Sequence, residues 1–130
     1  MRNIPISKFG KDHWSLLAYI ECRCVDNKGV PDLRQMRCNG ERHPDLEGAS
    51  PVPRPMWQED YHTKLNNGQG VVGHDDHDCA EDLEKAGFIV IRGTGINPVY
   101  TMTEKGWETV GLIRRFKATG GSFGTFQYSE

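Results

Sequence analysis

Apolar residues recur along this chain with two different periods, and the switch between them is plainest in the last third. From Asp78 to Ala86 (DCAEDLEKA), Cys79, Leu83 and Ala86 fall on one helical face, and Gly87 ends the pattern. Phe88 to Arg92 (FIVIR) and Val99 to Thr103 (VYTMT) are short and rich in β-branched residues, which predicts two strands. Gly93 to Pro98 (GTGINP) supplies the turn of an antiparallel hairpin between them. Thr103 is then the expected N-cap of a helix starting at Glu104, with Met102 and Trp107 as a hydrophobic staple that places Trp107 in the core. Leu112, Ile113 and Phe116 give that helix an apolar stripe. Arg114, Arg115 and Lys117 suit its negative end, and Gly120-Gly121 terminates it.

The front of the chain carries a second helical pattern. Asp12 is placed to cap a helix from His13 to about Val25, with Trp14, Leu17, Ile20 and Cys24 at helical spacing and Leu16 and Tyr19 widening the stripe. Asn27 and Gly29 mark its end, Val30 is a candidate short strand, and Pro31 to Arg37 (PDLRQMR) a short second helix. A segment of about residues 39–73 follows, rich in proline and glycine. Within it Tyr61 to Leu65 and Gly70 to Gly73 predict a hairpin around Asn67-Gly68, a type I′ turn signal.

The wording DLEKAGFI … NPVYTMTEKGWETV resembles the recognition-helix end, wing and following helix of MarR-like winged-helix proteins. The resemblance covers about the last third of the chain. It implies an α+β winged helix-turn-helix, one domain over residues 1–130, with the 39–73 segment inserted between the second helix and the helix in the recognition position. It also implies DNA or RNA as a partner and a homodimer as an available assembly.

Composition adds bounds rather than identity. The chain has 130 residues and a net charge of −2, enough length for one core. No apolar run suits a membrane and MRNIPISKFGKDHW lacks the core of a signal peptide, so the expected location is the cytoplasm, with Cys22, Cys24, Cys38 and Cys79 reduced and buried. Charge is uneven: basic up to His43, acidic from Pro44 to Gly87, basic beyond.

The helix in the recognition position decides the functional expectation. With Cys79, Leu83 and Ala86 inward, Asp78, Glu81, Asp82 and Lys85 are expected outward, after His74, Asp75, Asp76 and His77 at the entrance. Phosphates would repel carboxylates at this density, which argues against major-groove reading. Two non-enzymatic functions remain. In one, Arg92, Lys105, Arg114, Arg115 and Lys117, with Arg34, Arg37 and Arg42, hold nucleic acid through the wing and its flanks. Phe123, Phe126 and Tyr128 in the tail, about residues 119–130, either stack on bases or pack on the domain, the plainer alternative. In the other, Asp75, Asp76, Asp78, Glu81 and Asp82 bind a basic protein surface or mimic nucleic acid, as phage-type inhibitors do.

Metal and catalytic chemistry find less support. His77 and Cys79 point to different sides of a helix that starts near Asp76, and so do Cys22 and Cys24 on theirs. Cys24, Cys38 and His43 remain as zinc candidates, at a spacing that matches no zinc-finger pattern, so no metal and no cofactor is expected. Gly93-Thr94-Gly95 lacks the third glycine of a dinucleotide fingerprint, and no nucleophile elbow or phosphate loop is present. A cysteine with a distant histidine is the one nucleophile that sequence leaves open.

Overall fold

The computed structural model describes residues 4–30, 62–72, 74, 76–93 and 99–129. They form a mixed α+β arrangement: α1 (Lys11–Asn27), β1 (His62–Lys64), β2 (Gly70–Val72), α2 (Asp76–Lys85), β3 (Ile89–Arg92), β4 (Val99–Met102) and α3 (Glu104–Ala118), with a 3-10 turn at Ile6–Lys8 before α1. The segment 31–61, which holds the expected second helix with Arg34 and Arg37, together with Arg42, Cys38 and His43, lies outside the described residues. Asp75 and the expected hairpin turn at 94–98 lie outside them too.

α1 is the central element and touches α2, α3, β1 and β4. Its first half is buried on nearly every side, with Trp14, Leu16, Leu17, Tyr19 and Ile20 all out of solvent. Each such side chain contributes about 1.5–3 kcal/mol of burial. The helix starts earlier than expected, with Gly10 at the N-cap. Asp12 does not cap it: its Oδ2 accepts from the Lys64 amide at 2.6 Å and so ties β1 to the first turn of α1. At the other end Lys28 takes a left-handed conformation (φ 57°) and the chain turns at Gly29. No strand forms at Val30; instead the Gly29 carbonyl accepts from Tyr100 N at 2.8 Å. The approach is so close that a Cβ on Gly29 would stand 2.0 Å from the Tyr100 oxygen.

The first hairpin forms where expected, with Thr63 opposite Val71 and Lys64 opposite Gly70. Its turn differs from the type I′ expectation. Leu65 N bonds to Gln69 O at 2.8 Å and Gly68 N to Leu65 O at 2.9 Å, so Asn66, Asn67 and Gly68 make a three-residue loop. Positive φ falls on Gly68 and not on Asn67, whose Oδ1 accepts from Gln69 N. Asn66 is held away from a tighter turn by bonds to the carbonyls of Lys8 and Ser7.

α2 ends in a Schellman motif: Phe88 N reaches Leu83 O at 3.0 Å and Gly87 N reaches Glu84 O at 2.9 Å. The chain then enters the antiparallel β3–β4 hairpin, in which Ile89 pairs with Met102 and Arg92 with Val99. Thr103 caps α3 as expected, its side chain accepting from Gly106 N at 3.0 Å. Trp107 does not join the core. Gly106, Thr109, Val110 and Ile113 form the buried face of α3, which leaves Trp107 43% exposed on one flank and Leu112 40% exposed on the other. At Gly106 the helix rides directly on the residue that leads into β3: a Cβ there would lie 2.1 Å from the Phe88 carbonyl oxygen. The tail packs back, burying Phe123 and Phe126, with Phe126 edge-on to Trp14 at 5.1 Å and Tyr128 edge-on to Phe88 at 5.3 Å.

Candidate functional site

The β3–β4 hairpin is fixed to the body at several points. Glu84 Oε2 accepts from Ile91 N at 2.8 Å, and the Thr103 hydroxyl lies 2.6 Å from the Gly87 carbonyl and 3.0 Å from that of Phe88. The Gly29–Tyr100 bond holds the β4 edge, and Cys24 Sγ donates to the Tyr100 carbonyl at 3.3 Å. Burial pushes the Cys24 thiol pKa up, so it remains a protonated donor. The hairpin is therefore braced against the body on both strands, with Arg92 exposed at the end of β3.

The expected basic residues divide by what they touch. Arg92 and Arg115 are exposed. Arg114 pairs with Glu21 on α1. Lys105 Nζ donates to the Ala86 carbonyl at 2.8 Å and sits 4.9 Å above the Phe88 ring, so it serves the end of α2. Lys117 lies over Phe123 at 3.9 Å while its side chain stays exposed. Lys28, exposed and next to the Gly29–Tyr100 contact, is brought beside the hairpin. No local signal in the sequence marks it, because only the fold joins it to β4.

The acidic set changes more. Asp76 and Asp82 do not face outward: both are buried. α2 is wedged between α1 and β3, so it buries a wider arc than one stripe. Of the expected partner-binding acids, Glu81 is exposed and Asp78 half-buried.

Asp82 is the hub of a polar cluster that sequence reasoning missed. His13 Nε2 lies 2.9 Å from Asp82 Oδ2, and His74 Nε2 approaches the same oxygen at 3.0 Å, off the line of a well-formed hydrogen bond. Asp82 Oδ1 accepts from Ile4 N at 3.0 Å. Burial alone would raise the carboxyl pKa; the bonds from His13 and Ile4 and the close approach of His74 outweigh it and bring it to about 2. An ionised Asp82 can only accept, so His13 Nε2 carries the proton and His13 Nδ1 is left as a buried acceptor without a partner. Burial also lowers the His13 pKa below 6.5 and keeps the ring neutral, stacked on Phe9 at 4.0 Å.

His74 extends the cluster to the first hairpin. Its Nδ1 is 2.7 Å from Thr63 Oγ1, which donates to the His74 carbonyl and lies 3.2 Å from Cys79 Sγ. Cys79, His74 and Asp82 thus stand in a row, with Cys79 Sγ 3.7 Å from His74 Nδ1. The thiol is wholly out of solvent, so the row orders the core. Against the expectation that the thiols are buried, Cys22 is exposed and Cys24 half-buried. Among the described residues no group of three or more His, Cys, Asp or Glu side chains is arranged to hold a metal, and no helix is long and apolar enough to cross a membrane. No family model, no curated protein and no solved structure matches this chain.

Proposed function

We propose that this chain is a small winged-helix regulatory or adaptor module, without enzymatic activity, that associates with DNA or RNA through the β3–β4 hairpin and its basic flanks. The observation that carries the reading is the braced hairpin with Arg92 exposed at its outer end. The order α2, hairpin, α3 is that of a recognition-position helix, wing and following helix, and the Gly29–Tyr100 bond stands where a third wing strand would pair. Burial of Asp76 and Asp82 removes two carboxylates from the surface that phosphates would meet, which eases the electrostatic objection. The same burial weakens the alternative, an acidic surface for a basic protein, because Asp78 and Glu81 alone of its described acids retain exposure.

Arg92, Arg115 and Lys28 would neutralise phosphates rather than read bases. Replacing Arg92 and Arg115 with alanine should weaken binding to all sequences alike and reduce the slope of log affinity against log salt by about 1–2. A filter-binding or anisotropy titration measures both. Absence of any DNA or RNA binding at low ionic strength would reject the reading, and capture of a basic protein that fails on Glu81→Gln would favour the acidic surface instead.

A further inference from the structure

We propose that the first hairpin, the turn before α1 and the C-terminal tail form a second phosphate-binding surface for DNA or RNA, carried by Lys8, Lys11 and Lys64. The proposal rests on the nucleic-acid reading above and deepens it with residues that the β3–β4 hairpin and its flanks do not include. The three segments are contiguous: Ser7, Asn66 and Gln127, one from each, line a common cavity of about 320 Å³. The lysines are held together through the backbone. Asn66 N donates to the Lys8 carbonyl at 3.1 Å, a Cβ on Gly10 would stand 2.3 Å from the Lys64 carbonyl oxygen, and one on Gly124 of the tail would lie 3.8 Å from the Lys11 Cβ. Lys8 and Lys64 are exposed and Lys11 is half-buried; Thr63 faces the core, so alternation along β1 turns Lys64 outward.

What surrounds the lysines decides the partner. Residues 4–11, 62–70 and 119–129 contain no Asp or Glu, in a chain whose net charge is −2. Asp12, next in line, is 8% exposed and committed to the Lys64 amide, and among the described residues no ion pair engages Lys8, Lys11 or Lys64. The exposed neighbours Asn67, Gln69 and Thr125 are neutral amides and a hydroxyl. Lysines among such groups, without carboxylates, are the side chains that contact phosphate oxygens. A protein partner would select against lysine at the centre of its interface. A membrane would need an apolar anchor, and none of the exposed large hydrophobic side chains among the described residues falls in these segments. α1, 17 residues and about 25 Å long, separates this surface from Lys28 beside the β3–β4 hairpin, so the two can be tested apart.

The test is a salt titration of the full chain against a duplex and a single strand, each of about twenty nucleotides, and against vesicles rich in phosphatidylserine. Changing Lys8, Lys11 and Lys64 together to glutamine should weaken nucleic-acid binding about tenfold or more and lower the slope of log affinity against log salt by about 2–3. Arginine at the same three positions should bind as the wild type does, and Lys85→Gln, on the far side of α2 from the hairpin lysines in sequence, should leave the slope in place. If the glutamine variant binds like the wild type while alanine at Arg92 and Arg115 weakens binding, this surface is overturned and the β3–β4 reading stands. The reverse pattern upholds this surface and rejects that reading. Stronger binding to the vesicles than to either nucleic acid, lost in the glutamine variant, would overturn the proposal in favour of a membrane. No binding of the wild type to duplex or single strand at low salt would overturn both.

Discussion

The two hairpins have nearly equal strands and are held by different physics. β3–β4 adds to its hydrogen bonds a large apolar anchor: Ile89, Tyr100 and Met102 enter the core. β1–β2 is anchored through polar contacts: Asp12 takes the Lys64 amide, and Thr63, fully buried, is bonded to His74, which leans on Asp82. Apolar anchoring tolerates change in proportion to the atoms removed. Polar anchoring in a buried site is close to all-or-none, because each group that loses its partner keeps the cost of its desolvation.

The largest expected effect is therefore at Asp82. Asp82→Ala leaves His13 and Ile4 N without their acceptor and His74 without its neighbouring carboxylate, and should cost about 3–5 kcal/mol in urea unfolding. It should also raise hydrogen exchange in β1–β2 more than in β3–β4. A loss below about 1 kcal/mol would mean that the cluster does not hold the first hairpin. On the apolar side, Ile89→Ala should cost about 3 kcal/mol, with a loss that is the same at neutral and acidic pH.

Acid should act on the polar side alone. The folded pKa of Asp82, about 2, lies below its ordinary 3.8, so its contribution is present above pH ~4 and disappears as pH falls through ~2. The shift corresponds to about 2 kcal/mol. His13, also lowered, adds to this with the same sign: the unfolded chain takes up a proton below 6.5 that the folded chain refuses, so stability starts to decline there. Thermal melts from pH 7 to 2 should show this decline in the wild type and a flatter acid limb in Asp82→Ala. The smallest effect belongs to Trp107→Ala, which should change stability by no more than about 0.5 kcal/mol despite the size of the side chain, given its exposure. A loss above about 2 kcal/mol in the isolated chain would place Trp107 in a packed environment after all.

The same division explains what sequence could and could not disclose. Thr103 as a cap, Gly87 and Gly120 past helix ends, and the β3–β4 pairing all depend on residues within a few positions of one another. The direction of Trp107 depended on how closely α3 could approach β3, which is set at Gly106 rather than at the tryptophan. Asp82 followed the helical period well enough to be assigned to the outer face. Its partner His13 is 69 positions away, and no periodicity connects two polar residues that meet inside. Asp12 was a sound cap by type and lost that role to a strand more than fifty residues later in the chain (a separation of 52). Of the zinc candidates, Cys38 and His43 lie outside the described residues, and the Cys24 thiol donates to the Tyr100 carbonyl.

Gly106 carries a consequence for how this chain tolerates variation. In an isolated helix an alanine in its place would be favoured by about 1 kcal/mol, and any method that scores helices residue by residue would recommend the exchange. Here the added methyl would press on the Phe88 carbonyl and lift α3 from the chain beneath it. A library randomised across Glu104–Ala118 should thus be most restrictive at its least conspicuous residue, and more permissive at the tryptophan beside it.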